Sequence, residues 1–191
     1  FKAVLACGDA RLAATGLYHP SYAEKWQRLQ QLKWPGQEGF LHHYKMALEA
    51  KFHPAYEQYL SANLEYCLQK VTQIWLETLA HLEGARLGSH TGSWSEYASP
   101  SVSKGQSAPG LRGLLRNLGV TLRDYGPREL VTNLRWSLRY PRERLISILP
   151  GLLGEPGQVH DQQLATALGM TRGGGWHELT RSYLEQWHRY S

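Results

Sequence analysis

The sequence predicts an all-α chain, a helical bundle built on one long central helix (about 54–83) with a carboxy-terminal set of short helices. Three observations carry that reading. Between Pro54 and Gly84 there is no Gly or Pro, and Tyr56, Leu60, Leu64, Cys67, Val71, Ile74, Thr78 and Leu82 recur in steps of three and four. Tyr59, Tyr66, Trp75 and Leu79 widen that face beyond a coiled-coil seam, while Glu57, Glu65, Gln69, Gln73 and Glu77 fall opposite, as expected for a helix with several neighbours and one wet side. No stretch alternates apolar and polar residues as a half-buried strand does, and no segment repeats at a fixed period.

Taken in order, Lys2 to Ala14 reads as a helix with Val4, Leu5 and Leu12 inward and Gly16 as its break. Gly8 inside it costs about 1 kcal/mol relative to Ala, so a close approach is expected there, either of a crossing helix or of a ligand. Pro20 opens a second helix running to about Leu32, with Tyr22, Trp26 and Leu29 on one side; Trp34-Pro35-Gly36 ends it. Phe40 to Lys51 is a third, and His53-Pro54 leads into the long helix, with Gly84 as its expected stop. Gly88 to Gly110, rich in Ser and Gly with Pro100 and Pro109, reads as a loop. Beyond it, helices are expected at Leu111 to Leu118, Pro127 to Tyr140, Arg142 to Leu149, His160 to Leu168 and Trp176 to Tyr190. The division expected is therefore a bundle over 1–84, a loop or linker over 85–110 and a short-helix region over 111–191 packing on the bundle.

Hydrophobic content of 42% and charged content of 19% fit a globular chain and exclude disordered, collagen-like and disulfide-rich classes. A net charge of +5 permits an RNA or nucleotide partner without requiring one. Cys7 and Cys67 both fall on expected apolar helix faces, which points to buried free thiols and a cytoplasmic location. No run of eighteen apolar residues is present, so no helix is expected to span a membrane. The chain begins without Met, and functional residues are expected upstream of Phe1.

Nine histidines raise the question of metal, yet no two stand four apart on a helix, so no metal site is expected. Gly173-Gly174-Gly175 before a helix has the N–H groups to cradle an anion, with a hinge as the simpler reading. Arg181 and His188 have a six-residue interval and resemble the Arg-x(4 to 6)-His motif of HEPN ribonucleases, which are also helical bundles. Arg172 and His177 give a second match, and with fourteen Arg and nine His roughly two are expected by chance.

Gly8-Asp9-Ala10-Arg11-Leu12, followed by Tyr18-His19-Pro20-Ser21-Tyr22-Ala23-Glu24-Lys25, resembles the helix-turn-helix that follows the catalytic sheet in bacterial nucleotidyltransferases of the DNA polymerase β type. The likeness covers about residues 1–31. It implies an accessory helical domain facing substrate or nucleotide, in which Arg11, His19, Tyr22 and Lys25 meet a nucleoside triphosphate while an upstream sheet holds magnesium. Gly88-Ser89 and Gly92-Ser93 are not followed by the Asp-x-Asp that would hold the metal within this chain. Two other readings stand beside it: a non-catalytic α-helical protein-interaction module, and a HEPN-like ribonuclease bundle. The partners compatible with these readings are an upstream catalytic domain or partner chain, a nucleotide or RNA, and a second copy in a homo-oligomer.

Overall fold

The computed structural model describes residues 1–55, 57, 63–87, 93–100, 110–154, 161–170 and 173–190. Among them there are eleven α-helices and no strand, the all-α class expected. The chain divides into two compact units, Phe1–His90 and Thr91–Ser191.

The first unit holds α1 (Lys2–Ala14), α2 (Tyr22–Gln31), α3 (Gln37–Phe52) and α4 (Leu64–Leu87). Its core joins Val4, Leu5, Cys7 and Leu12 of α1 to Leu29, to Phe40, Tyr44 and Ala47, and to Ile74 of α4. Gly16, at φ 72°, turns the chain out of α1, with the Leu17 N–H returning to the Leu12 carbonyl at 2.8 Å. The α2–α3 turn passes Gly36, at φ 78°, and the Gln37 side-chain amide donates to the Leu29 and Gln30 carbonyls that α2 leaves open.

The long helix is present with different bounds. It starts at Leu64 rather than near Pro54, because Asn63 Oδ1 accepts the Tyr66 N–H at 3.0 Å and caps that end. It runs through Gly84, which is helical and does not cap it, to Leu87. The expected helical positions at 56 and 58–62 lie outside the described residues. Nor is α4 buried all round: Leu64, Tyr66 and Leu68 are 77%, 56% and 65% exposed, and its buried residues are Ile74 and Thr78. Lengths explain this, since thirteen residues of α1 span roughly 20 Å against roughly 36 Å for the 24 of α4. Cys67 is consequently exposed, against expectation, while Cys7 is buried; both are free thiols.

The second unit contains α5 (Trp94–Tyr97), α6 (Leu111–Tyr125), α7 (Pro127–Thr132), α8 (Leu134–Ser137), α9 (Pro141–Leu153), α10 (Asp161–Ala167) and α11 (Trp176–Tyr190). Leu145, Ile148 and Leu152 of α9, Leu164 and Ala165 of α10, and Leu179 and Tyr183 of α11 form its centre. Part of the expected loop is folded: Ser93 Oγ caps α5 by accepting the Glu96 N–H, and Tyr97 and Ala98 are buried. The helix expected from Pro127 to Tyr140 is broken at Asn133, whose amide donates to Glu129 Oε2 at 2.9 Å while its backbone leaves helical geometry (φ −134°, ψ 48°). Helix α9 continues past Pro150, where a stop was expected. A proline in the last turn forfeits one hydrogen bond, to the carbonyl of the exposed Ile146, where water is available.

Candidate functional site

Four residues were expected to meet one ligand; the structure brings Tyr22 and Lys25 together and gives Arg11 other neighbours. Lys25, on α2, is 2% exposed, and its Nζ donates to Asp9 Oδ2 at 2.9 Å with Oδ1 at 2.8 Å. The rings of Tyr22 and Tyr18 lie 4.5 and 4.6 Å from the same ammonium. Burial alone would lower the pKa of Lys25, but the hydrogen bond and charge of Asp9, with Tyr18, outweigh it and raise it. Tyr22 packs edge-on to Phe52 at 5.6 Å, with Lys51 over its ring. His19 Nδ1 accepts the Ser21 N–H at 3.1 Å at the mouth of α2. Lys25 and Tyr22 are thus brought together with Asp9 as their counter-charge. Arg11 is not among them.

Arg11 lies on the buried stripe of α1, four residues after Cys7 and three after Gly8, and is 6% exposed. Its Nε donates to Thr78 Oγ1 of α4 at 3.3 Å, and its guanidinium carbon lies 4.9 Å from the Trp34 ring centroid and 5.3 Å from that of Phe40. Burial, the largest influence, lowers its pKa, with the neighbouring Cys7 and Glu77 pulling the other way. No carboxylate among the described residues comes within ion-pair distance, and its two terminal amino groups have no hydrogen-bond partner there. Arg11 is one of the residues lining an open cleft of about 410 Å³, with Trp34, Pro35, Gly36, Glu77 and His81. Glu77 and His81 stand one turn apart on α4, both exposed, and Gln73 donates to Glu77 Oε1 at 2.9 Å.

The second unit supplies the contrast. Arg144 is fully buried, but Nη1 meets Glu129 Oε1 at 2.9 Å, Nη2 meets Thr121 Oγ1 at 3.3 Å, and the Tyr125 ring lies 4.6 Å from its carbon. Its charge is answered within the fold, whereas that of Arg11 is answered only by two ring faces, a hydroxyl and the cleft.

Other sequence candidates are more dispersed. Gly8 belongs to a helix crossing: a Cβ there would stand 2.3 Å from Tyr44 Cε2 and 3.2 Å from Leu29 Cδ1. Arg181 and His188 are exposed on α11, two turns or roughly 10 Å apart along the axis; Arg172 lies outside the described residues. At the glycine run, the Glu178 carboxylate already lies against Gly174, where an anion was considered. Among the described residues no three His, Cys, Asp or Glu side chains are placed to hold a metal, so the magnesium implied by the resemblance has no ligand set among them. No helix of the described residues is long and apolar enough to cross a membrane.

Trp34, a helix-end residue in the sequence, Glu77, a polar-face residue, and His81 join Arg11 only through packing of separate elements, beyond any contiguous motif. The available signals were an arginine continuing an apolar stripe, and Glu77 and His81 four apart on the helix facing it. Comparison with family models, with curated proteins and with solved structures finds no match.

Proposed function

We propose that the first unit is an accessory ligand-binding helical domain, in which Arg11 receives the anionic group of a small molecule seated in the Trp34–His81 cleft. The observation that supports this is an arginine more than nine-tenths buried, without a carboxylate partner, among the residues that line a concave surface. Burying such a charge is costly unless an anion or water completes it. The guanidinium fork suits a phosphate or carboxylate. Trp34 offers a flat face to a planar group, exposed His81 a donor, and Glu77 an acceptor for an amine or hydroxyl. A cleft of about 410 Å³ has the capacity for a mononucleotide or an aromatic acid. The nucleotidyltransferase resemblance puts nucleotides first in this class and a cytoplasmic setting with them. In this reading Arg11 alone of the four motif residues touches the ligand, and Lys25 holds the fold.

Calorimetric titration with each nucleoside triphosphate and magnesium, with nucleoside monophosphates, with inorganic phosphate and with benzoate tests it and separates phosphate from carboxylate. Arg11→Met and His81→Ala should each weaken the best ligand about tenfold or more. His81 is exposed, so its variant keeps the fold and guards against a trivial loss. Absence of binding by all these probes, or binding indifferent to both variants, overturns the proposal.

A further inference from the structure

Helix α6 is turned inside out relative to an ordinary amphipathic helix. Its buried residues are polar: Asn117 Nδ2 donates to the Leu138 carbonyl at 2.9 Å, and Thr121 Oγ1 to that of Ser137 at 3.3 Å. Three of its five leucines point outward, Leu111 at 75%, Leu115 at 61% and Leu122 at 48% exposed, with Leu114 and Leu118 half-buried beside them. Leu111, Leu115, Leu118 and Leu122 fall in steps of four, three and four, a two-heptad seam that Leu114 widens to roughly 100° of the helix circumference at 100° per residue. Beside the seam run the exposed Arg112 and Arg116, the latter with its guanidinium carbon 5.1 Å from the Tyr140 ring centroid. Arg123 continues the row but is paired with Asp124 at 2.7 Å.

We propose that this face of α6 seats one amphipathic helix of a partner chain, with leucine-like residues at four-three spacing and an acidic flank opposite Arg112 and Arg116. Leu111, Leu115 and Leu122 stand out from their own unit, which holds the helix through Asn117, Thr121 and the partly buried Val120; an exposed row of this kind marks an interaction surface. The helix has no Trp, Phe or Lys, residues that seat an amphipathic helix in a lipid interface, so a leucine-seamed partner helix suits it better. Charge selects against a second copy of the chain. An antiparallel α6–α6 pair would set Arg112 and Arg116 of both copies against each other, and a parallel pair would turn them towards the Leu114 and Thr121 side, which offers no carboxylate. The inference does not depend on the cleft of the first unit.

The test is fluorescence anisotropy of the full chain with two helical peptides of about three heptads, both leucine-seamed, one flanked by Glu and one by Lys. The Glu peptide should bind, the Lys peptide about tenfold or more weaker, and added salt should narrow the gap. Leu115→Asp and Leu122→Asp, at exposed positions that leave the melting temperature near that of the parent, should abolish Glu-peptide binding. Equal binding of both peptides, no binding of either, or binding that survives both variants overturns the proposal. So does sedimentation showing α6-dependent dimers, or co-sedimentation with anionic phosphatidylserine vesicles in the absence of peptide binding.

Discussion

The Asp9 carboxylate clasps the Lys25 ammonium, its two oxygens 2.8 and 2.9 Å from Nζ. The side chain of Lys25 is 3% exposed and that of Asp9 32%, so the pair is asymmetric: removing the carboxylate strands a charge inside, while removing the ammonium leaves one that water reaches. Asp9→Asn should therefore cost more stability than Lys25→Met, about 2 to 4 kcal/mol against about 1 to 2. Chemical denaturation of the two variants measures the order. Ligand affinity should be unchanged in Lys25→Met, the reverse of Arg11→Met; a loss in both would return Lys25 to the binding site.

Gly8 and Tyr44 make a second prediction. Ala is a better helix former than Gly by about 1 kcal/mol, so Gly8→Ala would stabilise an open helix. Here the new methyl meets a fully buried ring stacked on Trp26 at 6.2 Å and Phe40 at 5.8 Å, with nowhere to retreat. The net effect should be destabilising by about 1 to 3 kcal/mol, read as a lower melting temperature. A higher one would mean that the helices do not approach so closely.

Along α4, stability should track position. Ile74, 7% exposed in the core, should cost about 2 to 4 kcal/mol as Ala, whereas Leu64, 77% exposed, should change stability by less than about 0.5 kcal/mol. Denaturant midpoints for the pair decide whether the first turns of α4 are open.

Arg144 and Glu129 should behave as a unit. Glu129→Ala leaves a fully buried guanidinium with Thr121 and a ring, at a cost of about 3 to 5 kcal/mol, and Arg144→Ala should cost a similar amount. Arg144→Met combined with Glu129→Leu should recover most of the loss, giving a strong coupling in a double-mutant cycle. Additive losses would show that the ion pair is not what holds α6, α7 and α9 in place.

Acid should release a different contact. Hydrogen bonds from Arg123 first, then Tyr190, hold the Asp124 carboxyl down to about 2 from an ordinary 3.8, against the opposing effect of burial. A carboxylate with a depressed folded-state pKa stabilises above its unfolded value and loses that stability as pH falls towards 2. With Arg123 71% exposed and water screening the pair, the contribution is about 1 kcal/mol. Melting curves across that range should fall more steeply for the parent than for Asp124→Asn, and parallel curves would remove Asp124 from acid sensitivity.

Local signals were legible where breakers and caps act alone. Helix α1 ends before Gly16 and α11 runs from Trp176 to Tyr190, as periodicity and turn chemistry indicate. The failures have a common cause: apolar spacing can run straight across a break in the backbone. Leu130, Leu134 and Leu138 keep helical register over Asn133, whose backbone leaves the helix, and the stripe from Tyr56 to Leu82 runs over Asn63, which starts one. At the site, the sequence singles out Arg11 only through the nucleotidyltransferase resemblance, together with His19, Tyr22 and Lys25, although it continues the apolar stripe of α1. That Asp9 neutralises Lys25 across sixteen residues, and that Trp34 and His81 meet around Arg11, depends on packing that spacing does not encode.

The polar seat of α6 has a geometric consequence. Apolar contact tolerates sliding, because one methyl group substitutes for another with little loss. The bonds from Asn117 to Leu138 and from Thr121 to Ser137, with Arg144 reaching Thr121, are directional and would all break if the helix slipped by one residue or rotated by a fraction of a turn. The outward leucines are therefore presented at one fixed phase and height, like teeth cut on a keyed shaft.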